Sequence, residues 1–407
     1  MSDDMKKRDR PLPQGSVPSA SVTDEKNPVD EPEHVGEIAE QIGVSKEEYF
    51  SASQWKLMWW GFRRHKVAMA GLWIIIIVYA MAIFAEFIAP HNPTVYDNQN
   101  RNLPPSRIHF VDTDGRFHIR PFTYAWNRTV DPETFDVVTE EDTSVRYPLG
   151  FFVRGDSYRM WGLFEWDVHL FGATEGGRFY PFGTDPFGRG LFSMCVYGAR
   201  ISTSIGLLGV LLSTLLGIVI GGLSGYLGGK VDDVIQRLIE VLMSFPRIPL
   251  WMALTAALPQ DWTIIQVYFA ITLILSIMGW TGLARVVRGK FLALREEDFV
   301  TAARLSGSRK MRIIGKHLLP SFMSHIIATL TLAIPGMIIG ETSLSFLGLG
   351  LRAPAISWGV LLKEAQSIQA LSIQPWLLAP GLFVIITVLA FNFVGDGLRD
   401  AADPYSY

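Results

Sequence analysis

The most informative stretch of this 407-residue chain is Asp298–Pro320, reading DFVTAARLSGSRKMRIIGKHLLP. Phe299, Ala302 and Ala303, followed by Leu305, set apolar residues along one face of a short helix, and Gly307 supplies a common helix stop. Small side chains at Ala302 and Ala303, with a glycine after them, let another surface approach the backbone closely, which suits a helix docking in a partner's groove. A basic amphipathic helix, Lys310 to His317, then leads to Pro320. The plain alternative is a basic loop on the inner leaflet. The remaining residues able to do chemistry are charges in apolar surroundings: Arg237, Glu240 and Arg247 in one block, and Glu341, just before Ser343, in another. These are candidate pore or inter-subunit groups, and equally pairs that avoid an unpaired charge in lipid. Arg237 and Glu240 stand at the spacing of a local helical pair.

The chain offers little for catalysis. Gly229-Lys230 and Gly315-Lys316 lack the first glycine and the following hydroxyl residue of a phosphate-cradling loop, and neither Gly-x-Ser-x-Gly nor His-Glu-x-x-His occurs. His109, His118 and His169 match no metal-ligand spacing and read as surface histidines. A lone Cys195 excludes an internal disulfide and a Cys-based metal site. The expectation is a non-catalytic chain with no catalytic, cofactor-binding or metal-binding residue.

The elements that must position these residues lie in a membrane. The chain is 49% hydrophobic and only 18% charged, against about 25% charged in soluble domains. Its mean hydropathy of +0.24 blends long apolar blocks with polar stretches. Val67–Ile88 exceeds the roughly 20 residues a crossing needs, and Ile201–Leu227, Val234–Leu258, Ile264–Leu283, Phe322–Leu347 and Trp376–Val394 follow. An all-α membrane bundle of six helices is expected. Arg63, Arg64 and Lys66 precede the first helix, and Arg285 to Lys316 crowd the connection between the fourth and fifth. Six crossings put both clusters and both termini on one side, the cytoplasmic one. The net charge of −3 says nothing for or against nucleic acid.

Residues 1–44 read as a disordered cytoplasmic tail, and 45–66, rich in Trp, Lys and Arg, as a helix in the membrane interface touching lipid. Span 67–89 is followed by an insert over 90–182 on the outer face, too long for a structureless loop. Strand-like Arg107–Val111 and Arg116–Arg120 flank Asp114-Gly115, a hairpin signal, so the insert is expected to hold β-hairpins.

Ala302-Ala303-x-x-x-Gly307 followed by His317-Leu-Leu-Pro320 resembles the EAA loop of binding-protein-dependent ABC importers, with Thr301 where the motif has Glu. Gly183-Thr184-Asp185-Pro186-Phe187-Gly188-Arg189-Gly190, Tyr197-Gly198-Ala199-Arg200, Ser343 to Gly350 with Ser357-Trp358-Gly359, and Gly395 to Asp400 with Asp403-Pro404 stand in the order of the dipeptide and oligopeptide "C" permeases. The resemblance covers about residues 50–90 and 180–407. It implies a MetI-like importer domain over 183–400 with a short tail at 401–407, in a bacterial inner membrane. It implies that Asp298, Thr301, Ala302, Ala303, Arg304, Gly307, His317 and Pro320 couple to an ATPase. It also implies a homologous second permease, two ABC ATPase subunits holding ATP and Mg, and a periplasmic substrate-binding protein. Peptides are the favoured cargo, alongside nickel chelates, glutathione, peptide antibiotics and opines. An ion-coupled secondary transporter and an outer-face sensor or assembly subunit are the competing readings.

Overall fold

A computed structural model describes residues 45, 48, 51–130, 132–133 and 137–402; the expected tail at 1–44 lies outside them, as does the expected tail at 401–407 apart from 401–402, which are helical. The chain divides into two compact units at Leu57. In the first, Lys56 Nζ meets Glu48 Oε1 at 2.7 Å.

Helix α1 (Gln54–Arg64) ends in Arg63 and Arg64, and α2 (Lys66–Ile83) begins on a His65 cap whose ring accepts the Ala68 N–H. A short α3 (Ala85–Ile88) continues it, so the expected first span carries a break at Phe84. An antiparallel meander follows: β1 (His109–Val111), β2 (Phe117–Val130), β3 (Val137–Met160) and β4 (Phe164–Ala173), in that order. The first part of β3 pairs with β2 and its last part with β4. The Asp114-Gly115 turn joins β1 to β2, and β2 runs well past the expected Arg120.

Of the three histidines of this meander, His169 alone corrects the surface reading, since His109 and His118 keep part of their rings exposed. His109 lies 3.0 Å from Glu141 and His118 lies 2.9 Å from Asp112, while His169 is buried with Nε2 2.9 Å from the Asp156 carbonyl. Among the described residues, no group of His, Cys, Asp or Glu is placed to hold a metal.

The bundle then unfolds in α4 (Leu191–Leu227), α5 (Gly229–Ser244), α6 (Arg247–Ala256), α7 (Ile264–Leu294), α8 (Asp298–Leu305), α9 (Met323–Phe346), α10 (Trp358–Glu364), α11 (Ile368–Ile373) and α12 (Ala379–Ala402). Among the described residues, five helices are long and apolar enough to cross a membrane: α2, α4, α7, α9 and α12 with its leading turn. The expected continuous helix Val234–Leu258 is instead the pair α5 and α6, bent by 86°. Pro246 explains the break: it has no N–H to donate, and its ring drives the preceding Phe245 out of the helical region to φ −85°, ψ 135°. Pro249 falls in the first turn of α6, where the missing N–H costs nothing. With α6 counted in the same span as α5, the crossings number up to six.

One core joins α4, α7 and α9 through Ile205, Val210, Leu275, Met278, Ile338 and Leu344. Arg200 ties α4 to the end of α2. Its guanidinium donates to both Glu86 carboxylate oxygens and to the Ala82 and Ile83 carbonyls.

Candidate functional site

The loop that carries the docking signal is a capped helix standing on the bundle. Helix α8 closes as the Ser308 N–H bonds the Ala303 carbonyl (3.1 Å) and the Gly307 N–H bonds the Arg304 carbonyl (3.1 Å). That pair of bonds needs a left-handed residue at Gly307, which sits at φ +78°. The two sides of α8 differ from the sequence expectation. Val300 and Ala303, spaced by one turn, are buried against Val287, Phe291, Ile313, Leu318 and Phe322. Phe299, Ala302 and Leu305, also spaced by turns, face outward, Leu305 at 84% exposure. Ala303 therefore braces the helix, and Ala302 belongs to the open face. Asp298 lies in the first turn, while Thr301, Arg304 and Gly307 are exposed.

The expected basic helix Lys310–His317 becomes an α-turn (Lys310–Ile313), a π-turn (Ile314–Leu318) and a final turn (Leu319–Ser321). Pro320 cannot donate to the carbonyl four residues back, and the widened turn lets the Leu319 N–H reach the Ile314 carbonyl instead. His317 is half-buried in that turn; Pro320 is exposed.

Glu341 is fully buried at the centre of a polar knot. One carboxylate oxygen accepts from Ser202 Oγ (3.1 Å); the other accepts from Ser357 Oγ (2.7 Å) and Ser345 Oγ (2.9 Å). Each serine passes the network on: Ser202 accepts the Trp358 N–H, Ser345 the Leu351 N–H, and Ser357 caps α10 through the Val360 N–H. The Trp358 indole N–H closes the ring on the Cys195 carbonyl at 2.9 Å. The knot locks α4, α9 and α10 together. Ser343 is half-buried beside it and makes no bond to Glu341. Ser345, four residues on from Glu341, was legible as a helical neighbour; Ser202 and Ser357 carry no local signal.

Arg237 and Glu240 stand apart from this knot. They pair at 2.9 Å on the open side of α5, with Arg237 83% exposed. A second buried anchor, missed in the sequence, is Asp232, which takes both Nε and a terminal nitrogen of Arg288 at 2.5 Å and the Ser224 hydroxyl. Between α4, α6, α7 and α9 opens a cavity of about 290 Å³, whose lining includes Ser213, Thr214, Arg247, Trp251, Met278 and Thr329. Its walls are mostly apolar with scattered hydroxyls, a surface able to make weak, unspecific polar contacts.

Residues 217–405 match the family profile described as binding-protein-dependent transport system inner membrane component, and 53–105 match the N-terminal TM domain of oligopeptide transport permease C. The chain is similar to the dipeptide transport system permease protein DppC of Bacillus subtilis, with 32% identity over 85% of this chain and 84% of the relative. It is also similar to the oligopeptide transport system permease protein OppC of the same organism, with 31% identity over 87% and 90%. Among solved structures, a chain of the MetNI methionine ABC transporter in an inward-facing conformation aligns with 52% of this chain and 97% of its own, at 18% identity and a TM-score of 0.41.

Proposed function

The chain belongs to the family of binding-protein-dependent transport system inner membrane components, and from that premise we propose that it forms half of the path of an ATP-driven importer. A homologous permease supplies the other half, two ATPase subunits holding ATP and Mg bind at the α8 end, and a periplasmic binding protein delivers cargo. The names of the relatives favour di- or oligopeptides, or solutes built like them.

What carries docking at α8 is its uncovered apolar face. Phe299, Ala302 and Leu305 stand out from a helix that is capped and braced from behind, with Arg304 on it and Arg309 and Arg312 just after it all exposed. Leaving Leu305 in water forgoes roughly 1.5–3 kcal/mol of burial, a gain available to a partner's groove. Movement of that partner on ATP binding presses α8, and the bracing of Val300 and Ala303 passes the push to α7 and to the turn entering α9. The partner must bind α8 differently in the two states for the push to bias the bundle.

The charge pattern supports one orientation. Arg63, Arg64 and Lys66 precede α2, and Arg285 to Lys316 run from the end of α7 to the foot of α9. Both clusters lie on the cytoplasmic side when the bent pair α5–α6 crosses once, and on opposite sides when it does not. We take the single crossing, which puts the β-meander on the periplasmic face. The cavity between α4, α6, α7 and α9 is the stretch of path that this half contributes. The test is Leu305→Asp: peptide uptake and co-purification of the ATPase should both fall at least tenfold while the chain inserts normally. Full assembly and uptake in that variant would remove α8 as the docking element.

A further inference from the structure

We propose that the β3–β4 hairpin dips its tip into the lipid interface at the end of α2, as a second anchor beside that helix. The observation is a continuous file of aromatic rings from the helix to the hairpin. Phe84 meets Trp161 (5.8 Å between centroids), Trp161 meets Phe164 (6.5 Å), Phe164 meets Trp166 (6.4 Å), and Trp166 stacks on Phe87 (6.1 Å), which also meets Phe152 (6.1 Å). The Trp161 indole N–H donates to the Ile83 carbonyl at 2.7 Å, so the turn sits at the level of the last turn of α2.

The turn is built at some cost for its side chain. Trp161 and Gly162 hold φ +50° and +75°, and the Leu163 N–H bonds the Met160 carbonyl at 2.9 Å. Glycine or asparagine fills the first of these positions at little expense, whereas a tryptophan there takes on about 1 kcal/mol of backbone strain. The indole is what the position uses.

The tip remains uncovered and apolar, with Trp161 at 50% and Leu163 at 79% exposure, next to open Ile83 and Phe84. Its two faces are unlike. Met160 and Phe164 are cross-strand partners on the side of the ring file. Arg159 and Glu165 pair on the other face at 3.0 Å, both largely in water. Lipid is the occupant this pattern fits. The patch continues the open face of α2 (Trp73, Ile76, Ile77, Ile83), which faces hydrocarbon once α2 spans, and tryptophan and phenylalanine with a charged back are the chemistry of the headgroup boundary. The proposal rests on α2 being a membrane span and is independent of which side the meander lies on.

Two measurements on the full chain in phospholipid nanodiscs test it. Nitroxide labels are placed one at a time at Leu163→Cys, Glu165→Cys and Trp73→Cys, with native Cys195 buried and so shielded from the reagent. Relaxation by oxygen over relaxation by a water-soluble nickel chelate should be at least threefold higher at position 163 than at 165. Equal, water-like values at both overturn the anchor, and protection of 163 from both relaxants overturns it in favour of a protein cover. A water-like value at 73 instead removes the spanning reading of α2, and the anchor with it. In the unmodified protein, a phospholipid with a diazirine near its headgroup should label peptides holding Trp161–Trp166; no label there, with α2 labelled, refutes the anchor alone.

Discussion

Ser357 donates its hydroxyl proton to Glu341 at 2.7 Å, and through that bond the short helix α10 is tied to the middle of the bundle. The same carboxylate receives Ser202 from α4 and Ser345 from its own helix, so one side chain holds three elements in register. What Ser345 and Ser357 require is an acceptor at the oxygen they share, not necessarily a negative charge. Glu341→Gln keeps one acceptor and turns the other position into a donor, which a rotated serine can accept. That variant should lower the thermal midpoint in detergent by only a few degrees. Glu341→Ala strands three buried hydroxyls and opens a cavity, at about 3–5 kcal/mol. It should lose most of the folded yield. Equal midpoints for the two variants would show that the knot does not hold the bundle.

The opposite sides of α8 make a matched pair of variants. Ala302 faces outward and Ala303 inward, against Val287, Phe291 and Ile313. Ala303→Leu adds three carbons to a packed site, which costs about 1–3 kcal/mol, and should reduce thermal stability of the isolated chain. Ala302→Leu should leave that stability within about 0.5 kcal/mol and impair uptake and ATPase recovery instead. Thermal melts beside pull-downs separate the two effects, and identical behaviour of the two variants contradicts the assigned faces.

This pair also shows where the sequence stopped being legible. The apolar blocks betrayed the spans because a long run without charge has few other uses. In α8 the apolar residues occur all round a short helix, since one side serves the bundle and the other is left open. Phe299 was therefore placed on the packing face without Val300, and Ala302 was grouped with Ala303. The break at Pro246 was written in the chain, yet a hydropathy reading passes over it because a mean over about 20 residues dilutes the Ser244 to Arg247 stretch among long apolar flanks. In the meander, β3 carries Glu140, Glu141, Asp142 and Arg146, so its water-facing residues masked a strand of such length. The partners of Glu341 divide by distance. Ser345 follows from helical spacing, whereas Ser202 lies 139 residues away and depends on the packing of α4 against α9.

The loop from Gly183 to Gly190 leads into α4 and leaves no room at one point. A β-carbon on Gly188 would lie 1.8 Å from the Asp97 carbonyl oxygen, and the residue holds φ +78°. The Asp97 N–H bonds the Phe187 carbonyl alongside, so the backbone cannot simply step away. Gly188→Ala should cost about 2–4 kcal/mol from strain and overpacking together. The measured sign would be proteolysis near residues 97–103 in the intact chain. An unchanged digestion pattern would mean that the loop yields more readily than its bonds suggest.

The same loop carries a pH-dependent load. Arg189 bonds Asp185 (2.6 Å) and reaches Glu364 at the end of α10 (3.3 Å). Burial pushes the Glu364 carboxyl up to about 7, with Asp185 adding to the rise and Arg189 opposing it. Below the ordinary value of 4.5 the group is protonated whether the chain is folded or unfolded, and it costs nothing. Between 4.5 and 7 the unfolded chain releases the proton while the folded chain keeps it, so stability falls as pH rises. Above 7 the loss is complete. His91, held down at about 4 by burial, works in the opposite direction between 4 and 6.5, where rising pH favours the folded state. Its contribution is common to the wild type and to Glu364→Gln, and it cancels in their difference. Glu364→Gln should therefore gain thermal stability relative to the wild type between pH 5 and pH 8, with most of the gain complete by pH 7. Melting curves of both proteins in one detergent check this, and parallel pH profiles would mean that Glu364 ionises as readily in the folded chain as in the unfolded one.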